Sequence, residues 1–395
     1  MPHKVTTWLL VVILGCGNVS EVILAPALSS ITEYFHVDQA ASQALLSGFF
    51  IPMALFPLVY GTLSDRFGRR PPLLFGLAIL ALGGLLGALS ESFEILVLAR
   101  VLQGLGNASV ILIVVTIIND SYERSDAVRV LATISGIMMI VPAFSFAFGG
   151  LITDLISWKG IMIVIFLTGI ISLVLSLIYL PETNLRPAQK FNLASLTRDY
   201  LSLLTNQVYL AYMFVSTFIV GGWLTMLGFV PFEYHRMGVD STEVGFWFML
   251  APIGHALGNF FTIRFVQRLS LERMILLGSM LTLLAISALM LPNLMSWNHP
   301  TSIGIPCMFF GFTSALAVNP SITSAVSAAR DLAGSASGLM RSAQMGFGVL
   351  GGAVVVSVGG YENFENGVIV LIGLALLATV ASVFAKYFSS SALMT

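Results

Sequence analysis

Four ionisable residues, Glu21, Arg100, His255 and Arg341, lie inside long apolar runs of this 395-residue chain. Ionisable groups in such positions are costly and are functional candidates. Each has an amide at helical spacing. Asn18 stands three residues before Glu21, Gln103 and Asn107 follow Arg100, Asn259 follows His255, and Gln344 follows Arg341. On a helix these intervals share a face. The chemistry open to such a set is proton exchange and charge recognition. A carboxyl in a dry cavity keeps its proton because burial disfavours the charged form, and water or an approaching cation favours ionisation and expels it. A competing reading makes Glu21 and Arg100 a static ion pair that fixes helix packing. The amides Asn18, Gln103 and Asn107 either orient the charges, touch substrate, or tie helices together for ~0.6 kcal/mol each. His255 reads as a hydrogen-bonded packing residue or as a second proton site, since imidazole titrates near neutral pH. Arg341 reads as a contact to Glu21 or a carbonyl, or as the counter-charge of an anionic substrate.

The elements that must carry these residues are membrane helices. Apolar residues make up 57% of the chain and Asp, Glu, Lys and Arg only 9%, with a mean hydropathy of +0.94. A soluble surface is usually about a quarter charged. The apolar residues also fall in runs of about 20, the length a helix needs to cross ~30 Å of hydrocarbon. The expected fold is all-α, with twelve spans near 7–29, 40–63, 72–90, 93–118, 128–151, 160–180, 208–231, 243–265, 274–291, 303–324, 333–357 and 367–388. The first reads as a retained span rather than a cleaved signal peptide. The stretch 183–206 divides the chain into six-span halves, 1–182 and 207–395, and reads as a cytoplasmic linker. On this reckoning Glu21 lies ~12 Å and Arg100 ~10 Å from the outer ends of spans 1 and 4, so their depths match.

Basic residues orient the chain. With both termini cytoplasmic, 14 of the 18 Lys and Arg fall inside: Lys4, Arg66, Arg69, Arg70, Arg124, Arg129, Arg186, Lys190, Arg198, Arg264, Arg268, Arg273, Arg330 and Lys386. Lys159 and Arg236 fall outside. Trp223, Phe229, Phe232, Tyr234 and Trp247 gather near the outer ends of spans 7 and 8, where an interfacial aromatic belt is expected. Cys16 and Cys307 sit in apolar segments and suggest neither a disulfide framework nor a metal site. No phosphate-binding loop, metal cluster, nucleophile elbow or nucleic-acid-binding basic tract appears, so the expectation is a non-enzyme without cofactor, driven by an ion gradient and surrounded by lipid.

Residues 61–70 run Gly61-Thr-Leu-Ser-Asp65-Arg66-Phe-Gly68-Arg69-Arg70, and a worn echo, Gly258, Arg264 and Arg268, follows span 8. The first stretch resembles the signature loop of the major facilitator superfamily, in which Asp65 and the cations serve a gate and the glycines Gly61 and Gly68 allow close approach and positive φ. Arg100 with Gln103-Gly104 and Gly106-Asn107 resembles the span-4 motif of proton-coupled members. Val141-Pro142 with Phe148-Gly149-Gly150 resembles the span-5 motif of antiporters. Pro26-Ala27-Leu28, Leu180-Pro181-Glu182-Thr183 and the Gly334, Ser337, Gln344 and Gly348 pattern complete a likeness to the twelve-span drug:proton antiporters near the Bcr/CflA and MdfA-like exporters. Two departures stand out: Phe146 where relatives place a proline, and Glu21 one position before the family's acidic site, where this chain has Val22.

The resemblance implies two pseudo-symmetric six-helix bundles with a substrate site near the midplane, spans 1 and 4 as neighbours, and a monomer in the bacterial inner membrane. It also implies proton-coupled export of small amphipathic molecules, with multidrug efflux as the leading reading. The alternative is a dedicated exporter of an anionic metabolite such as a carboxylate siderophore, anchored by Arg341. A receptor that no longer transports and a nutrient symporter fit less well.

Overall fold

A computed structural model describes residues 5–184, 193–265, 269–291, 298–329 and 332–392. Among these residues the only regular structure is helical. The helices are α1 Thr7–Val22, α2 Leu28–Phe35, α3 Gln43–Leu55, α4 Pro57–Phe67, α5 Arg70–Ala88, α6 Phe93–Ser121, α7 Arg124–Leu155 and α8 Trp158–Tyr179, then α9 Leu193–Thr205, α10 Gln207–Arg236, α11 Ser241–Phe265, α12 Leu271–Ser287, α13 Thr301–Ala328, α14 Ala333–Ser357 and α15 Phe364–Ala392. Among the described residues eleven helical stretches are long and apolar enough to cross a membrane. A twelfth span forms if the pair bent by 48° at residues 55–59 is taken as one. That bend contains Pro57 and follows Pro52, each of which lacks the N–H a continuous helix needs.

Proline also reshapes the first span. The sequence suggests an unbroken helix over 7–29, but α1 stops at Val22, a 3₁₀ turn covers Ala25–Ala27, and α2 carries the span on to Phe35. Pro26 explains the break, because its ring crowds the carbonyl four residues earlier, that of Val22. The longer span places Glu21 at the middle of Thr7–Phe35, farther from the outer end than the ~12 Å expected. A second correction concerns residues 61–67, which are the last turns of α4 rather than loop. Gly61 is helical, and a Cβ there would meet only Leu112 at an ordinary 3.5 Å. Of the two glycines only Gly68 has positive φ, +92°. Finally, α10 runs through Pro231 to Arg236, and Phe229, Phe232 and Tyr234 are buried within the protein. They pack on Phe364, Tyr361 and Phe248 instead of facing the lipid boundary.

The chain forms two compact units, Met1–Phe191 with Asp240–Gly245, and Asn192–Val239 with Phe246–Thr395. In the first, α5 packs on α6 and α8, α3 on α6, and α1 on α6, α7 and α8. In the second, α10 packs on α13, α14 and α15, and α12 on α13 and α15. Small residues set these distances. A Cβ on Gly104 would lie 2.2 Å from the Phe49 carbonyl oxygen, so α3 and α6 meet backbone to side-chain-free backbone, as membrane helices often do. Lys4, Arg186, Lys190, Arg268 and Arg330 lie outside the described residues.

Candidate functional site

Arg100 organises the first unit. It sits in the second turn of α6 and is wholly buried. Its Nη1 donates to the Ser20 carbonyl at 3.0 Å and to Gln103 Oε1 at 2.7 Å, and its Nε donates to the Leu45 carbonyl at 3.3 Å. The Phe49 ring lies 4.1 Å from its guanidinium carbon, a cation–π geometry. Ser20 belongs to the last turn of α1, where carbonyls lose helical donors and accept others. The break at Pro26 thus supplies an acceptor to Arg100. Glu21, half-buried next along the chain, acts electrostatically on Arg100. The structure therefore brings together the two charges paired from sequence and adds three partners that sequence did not show.

The amides close on thioethers. Gln103 Nε2 reaches Met162 Sδ at 3.4 Å, Asn107 Nδ2 reaches Met53 Sδ at 3.4 Å, and Asn18 Nδ2 reaches Met138 Sδ at 3.5 Å. Asn107 Nδ2 also donates to the Gly17 carbonyl at 3.2 Å, and Asn18 Nδ2 to that of Leu14 at 3.0 Å. Gln103 and Asn107 have no exposed surface, whereas Asn18 is half-buried.

In the second unit the polar residues bond to different neighbours. On α11, His255 Nδ1 pairs with Ser314 Oγ of α13 at 3.0 Å, and Asn259 Oδ1 accepts from Asn319 of α13. Ser314 donates its proton to the Gly311 carbonyl at 2.7 Å, which assigns the shared hydrogen to His255 Nδ1. On α14, Gln344 Nε2 turns to Ser216 of α10 at 3.4 Å, and Arg341 is half-buried one turn before it.

The basic corner at the start of α5 is a network. Arg69 Nε donates to Asp120 Oδ2 at 2.8 Å, and Nη1 bonds Asp65 and Ser64. Burial works against the Arg69 charge, but Asp120 and Asp65 outweigh it and hold the guanidinium above its ordinary value. Glu182, just beyond α8, receives the main-chain N–H groups of Arg69 and Arg70 at 2.8 and 3.1 Å. A carboxylate at a helix N-terminus suits both the free donors and the dipole. A Cβ on Gly68 would lie 2.4 Å from Glu182 Oε2. Arg70 reaches the Leu177 carbonyl at 2.7 Å, while Arg66 lies over Phe67. Asp120 and Glu182 were not among the residues expected at a gate; the helix N-terminus that Glu182 caps was the available signal.

Pro142 lies inside α7. Farther along, Gly149 faces the Ile23 carbonyl, 2.2 Å from where its Cβ would be, and Gly150 faces that of Ser241 at 2.0 Å. Asp154 Oδ2 accepts from the main-chain N and hydroxyl of Thr242 at 2.6 Å each. Ser241 and Thr242 belong to the stretch grouped with the first unit. Phe146, in the place of a proline, is fully buried. Among the described residues no three His, Cys, Asp or Glu gather as a metal site.

The profile of the Major Facilitator Superfamily matches residues 9–353. The chain is 26% identical to a bicyclomycin resistance protein homolog of Haemophilus influenzae over 84% of each chain. It is 24% identical to multidrug resistance protein D of Escherichia coli over 87% of this chain and 86% of that one. An uncharacterized transporter of Rickettsia bellii is 33% identical, but the match spans only 53% of its length. Among solved structures, a D-xylose-proton symporter superposes with a TM-score of 0.75 over 96% of both chains at 13% identity, a likeness of fold. The chain is a multi-span membrane protein and belongs to the Major Facilitator Superfamily, whose members are transporters and not enzymes.

Proposed function

We propose that this chain is a proton-coupled exporter of small amphipathic molecules, of the multidrug kind, working by alternating access with Glu21 as proton carrier. The observation that carries the reading is the setting of Arg100. Its hydrogen bonds go to neutral groups, two carbonyls and an amide, while Glu21 supplies a charge that acts on it. Protonating Glu21 removes that compensation, and a buried cation left uncompensated is strongly unfavourable. Proton loading at Glu21 therefore disfavours this arrangement of α1 and α6, and a cationic substrate that displaces the proton favours it. Asn18, half-buried, suits adaptable recognition, because its thioether partner Met138 is a weak acceptor that a ligand oxygen displaces at little cost. The wholly buried Gln103 and Asn107 hold the helices that frame it. The relatives named for drug resistance support export of such compounds. The setting is the bacterial inner membrane, with both termini cytoplasmic and a monomer as the working unit.

The test is transport by the full chain in proteoliposomes with an imposed pH gradient, offered a lipophilic cation in one arm and polycarboxylates in the other. The reading requires cation movement that Glu21→Gln abolishes while binding persists. Full transport in that variant contradicts it. Movement of polycarboxylates alone, lost in Arg341→Ala, would instead assign a dedicated exporter of an anionic metabolite.

A further inference from the structure

A cavity of about 400 Å³ opens on the second unit between α12 and α13, within the range of small-molecule sites. Leucines 281, 284 and 291, with Ile305, Pro306 and Phe309, give it an apolar wall without charge. Leu284 and Phe309 are 65% and 58% exposed, on helices apolar enough to cross a membrane, so what they meet is hydrocarbon. The groove runs from Thr301 to Thr313 along α13. The twelve rises between these residues cover ~18 Å, a little over half of the ~30 Å hydrocarbon core, so the groove is about one leaflet deep. At its end near the start of α13, Ser302 lines the cavity and is 3% exposed, and its buried hydroxyl has no hydrogen-bond partner among the described residues. The other hydroxyl in reach of the deep end, that of Thr313, is already bonded to Thr282 at 3.0 Å and to the Phe309 carbonyl at 2.9 Å.

We propose that this groove is a lipid site, holding one acyl chain of a phospholipid from the leaflet at the C-terminal end of α12, with Ser302 donating to the ester carbonyl. The match rests on three features together. The groove has the length of a single leaflet, its wall is apolar apart from Thr301, Ser302 and Thr313, and its unpaired donor lies at a helix start, where the ester region of a bilayer meets the protein. The Ser302 hydroxyl has no acceptor among the described residues, and an ester oxygen supplies one.

The test uses the full-length protein in vesicles of phosphatidylethanolamine and phosphatidylglycerol, doped with a phospholipid that carries a diazirine midway along one acyl chain. After illumination, label is mapped by peptide mass spectrometry. Label on α12 and α13 peptides should exceed that on the outward face of α15 by at least about threefold, the ratio that one membrane hydrogen bond of ~0.6 kcal/mol produces. Ala288→Phe, which fills the groove, should bring it down to the α15 level. Ser302→Ala should lower it by about threefold and Ser302→Thr should restore it, which guards against a folding failure in the larger substitution. Even labelling around α12, α13 and α15 overturns the proposal. So does labelling that survives Ala288→Phe in a folded protein, or cross-linking between two copies through α12.

Discussion

Arg100 is a cation solvated by its own protein, and its partners are arranged for a planar fork. Two nitrogens reach three acceptors on α1, α3 and α6, while the guanidinium plane rests over Phe49. Lysine offers a compact charge that cannot span those acceptors or stack in the same way. Arg100→Lys should therefore lose transport nearly as fully as Arg100→Ala, in an uptake assay at matched expression. Recovery of half the wild-type rate in the lysine variant would contradict the fork. Asn107 makes a second local prediction. A Cβ on Gly17 would lie 2.3 Å from Asn107 Oδ1, so Gly17→Ala should destabilise by about 1–3 kcal/mol through overpacking, read as a lower thermal midpoint in detergent. The ionisable members of this site were legible because a charge in an apolar run has few tolerable explanations. The acceptors of Ser20 and Leu45 were not, because every residue carries a carbonyl and only the helix break at Pro26 and the α3–α6 crossing single these two out.

At the scale of elements, prolines and glycines decide what periodicity alone does not. Twelve apolar runs were readable from length, but the break at Pro26, the bend at Pro57 and the passage of α10 through Pro231 depend on tertiary context. Gly104 lets α3 approach α6 so that Leu45 and Phe49 can reach Arg100. Gly104→Ala would place a methyl against the Phe49 carbonyl. That contact is with backbone and cannot swing aside, so the variant should lose stability by about 1–3 kcal/mol and transport with it. At the basic corner, Gly68→Ala meets both a positive φ and the Glu182 carboxylate. It should detach Glu182 from the start of α5, giving faster protease cleavage near residue 184 and slower transport. Unchanged cleavage would show that the corner tolerates a side chain. The glycines were visible in the motif, yet only one of the pair has the backbone the motif suggests. Gly61 is a helical residue whose freedom is not needed.

For the whole molecule, composition and the length of the apolar runs carried most of the fold, since a chain with 9% charge and runs of about 20 apolar residues has few ways to satisfy its backbone in lipid. Sidedness is a separate claim and has its own check. Both native cysteines are buried, so introduced thiols report alone. Glu91→Cys should react with a membrane-impermeant maleimide in intact cells, and Glu123→Cys only after permeabilisation. The reverse pattern would overturn the orientation. The central claim is that Glu21 exchanges a proton for a cationic substrate. Its most direct measurement is proton release by the purified protein in weakly buffered solution on addition of a lipophilic cation. Release is expected from the wild type and none from Glu21→Gln, although that variant still binds the cation. Equal release from both, or none from the wild type when binding is demonstrated, would contradict it.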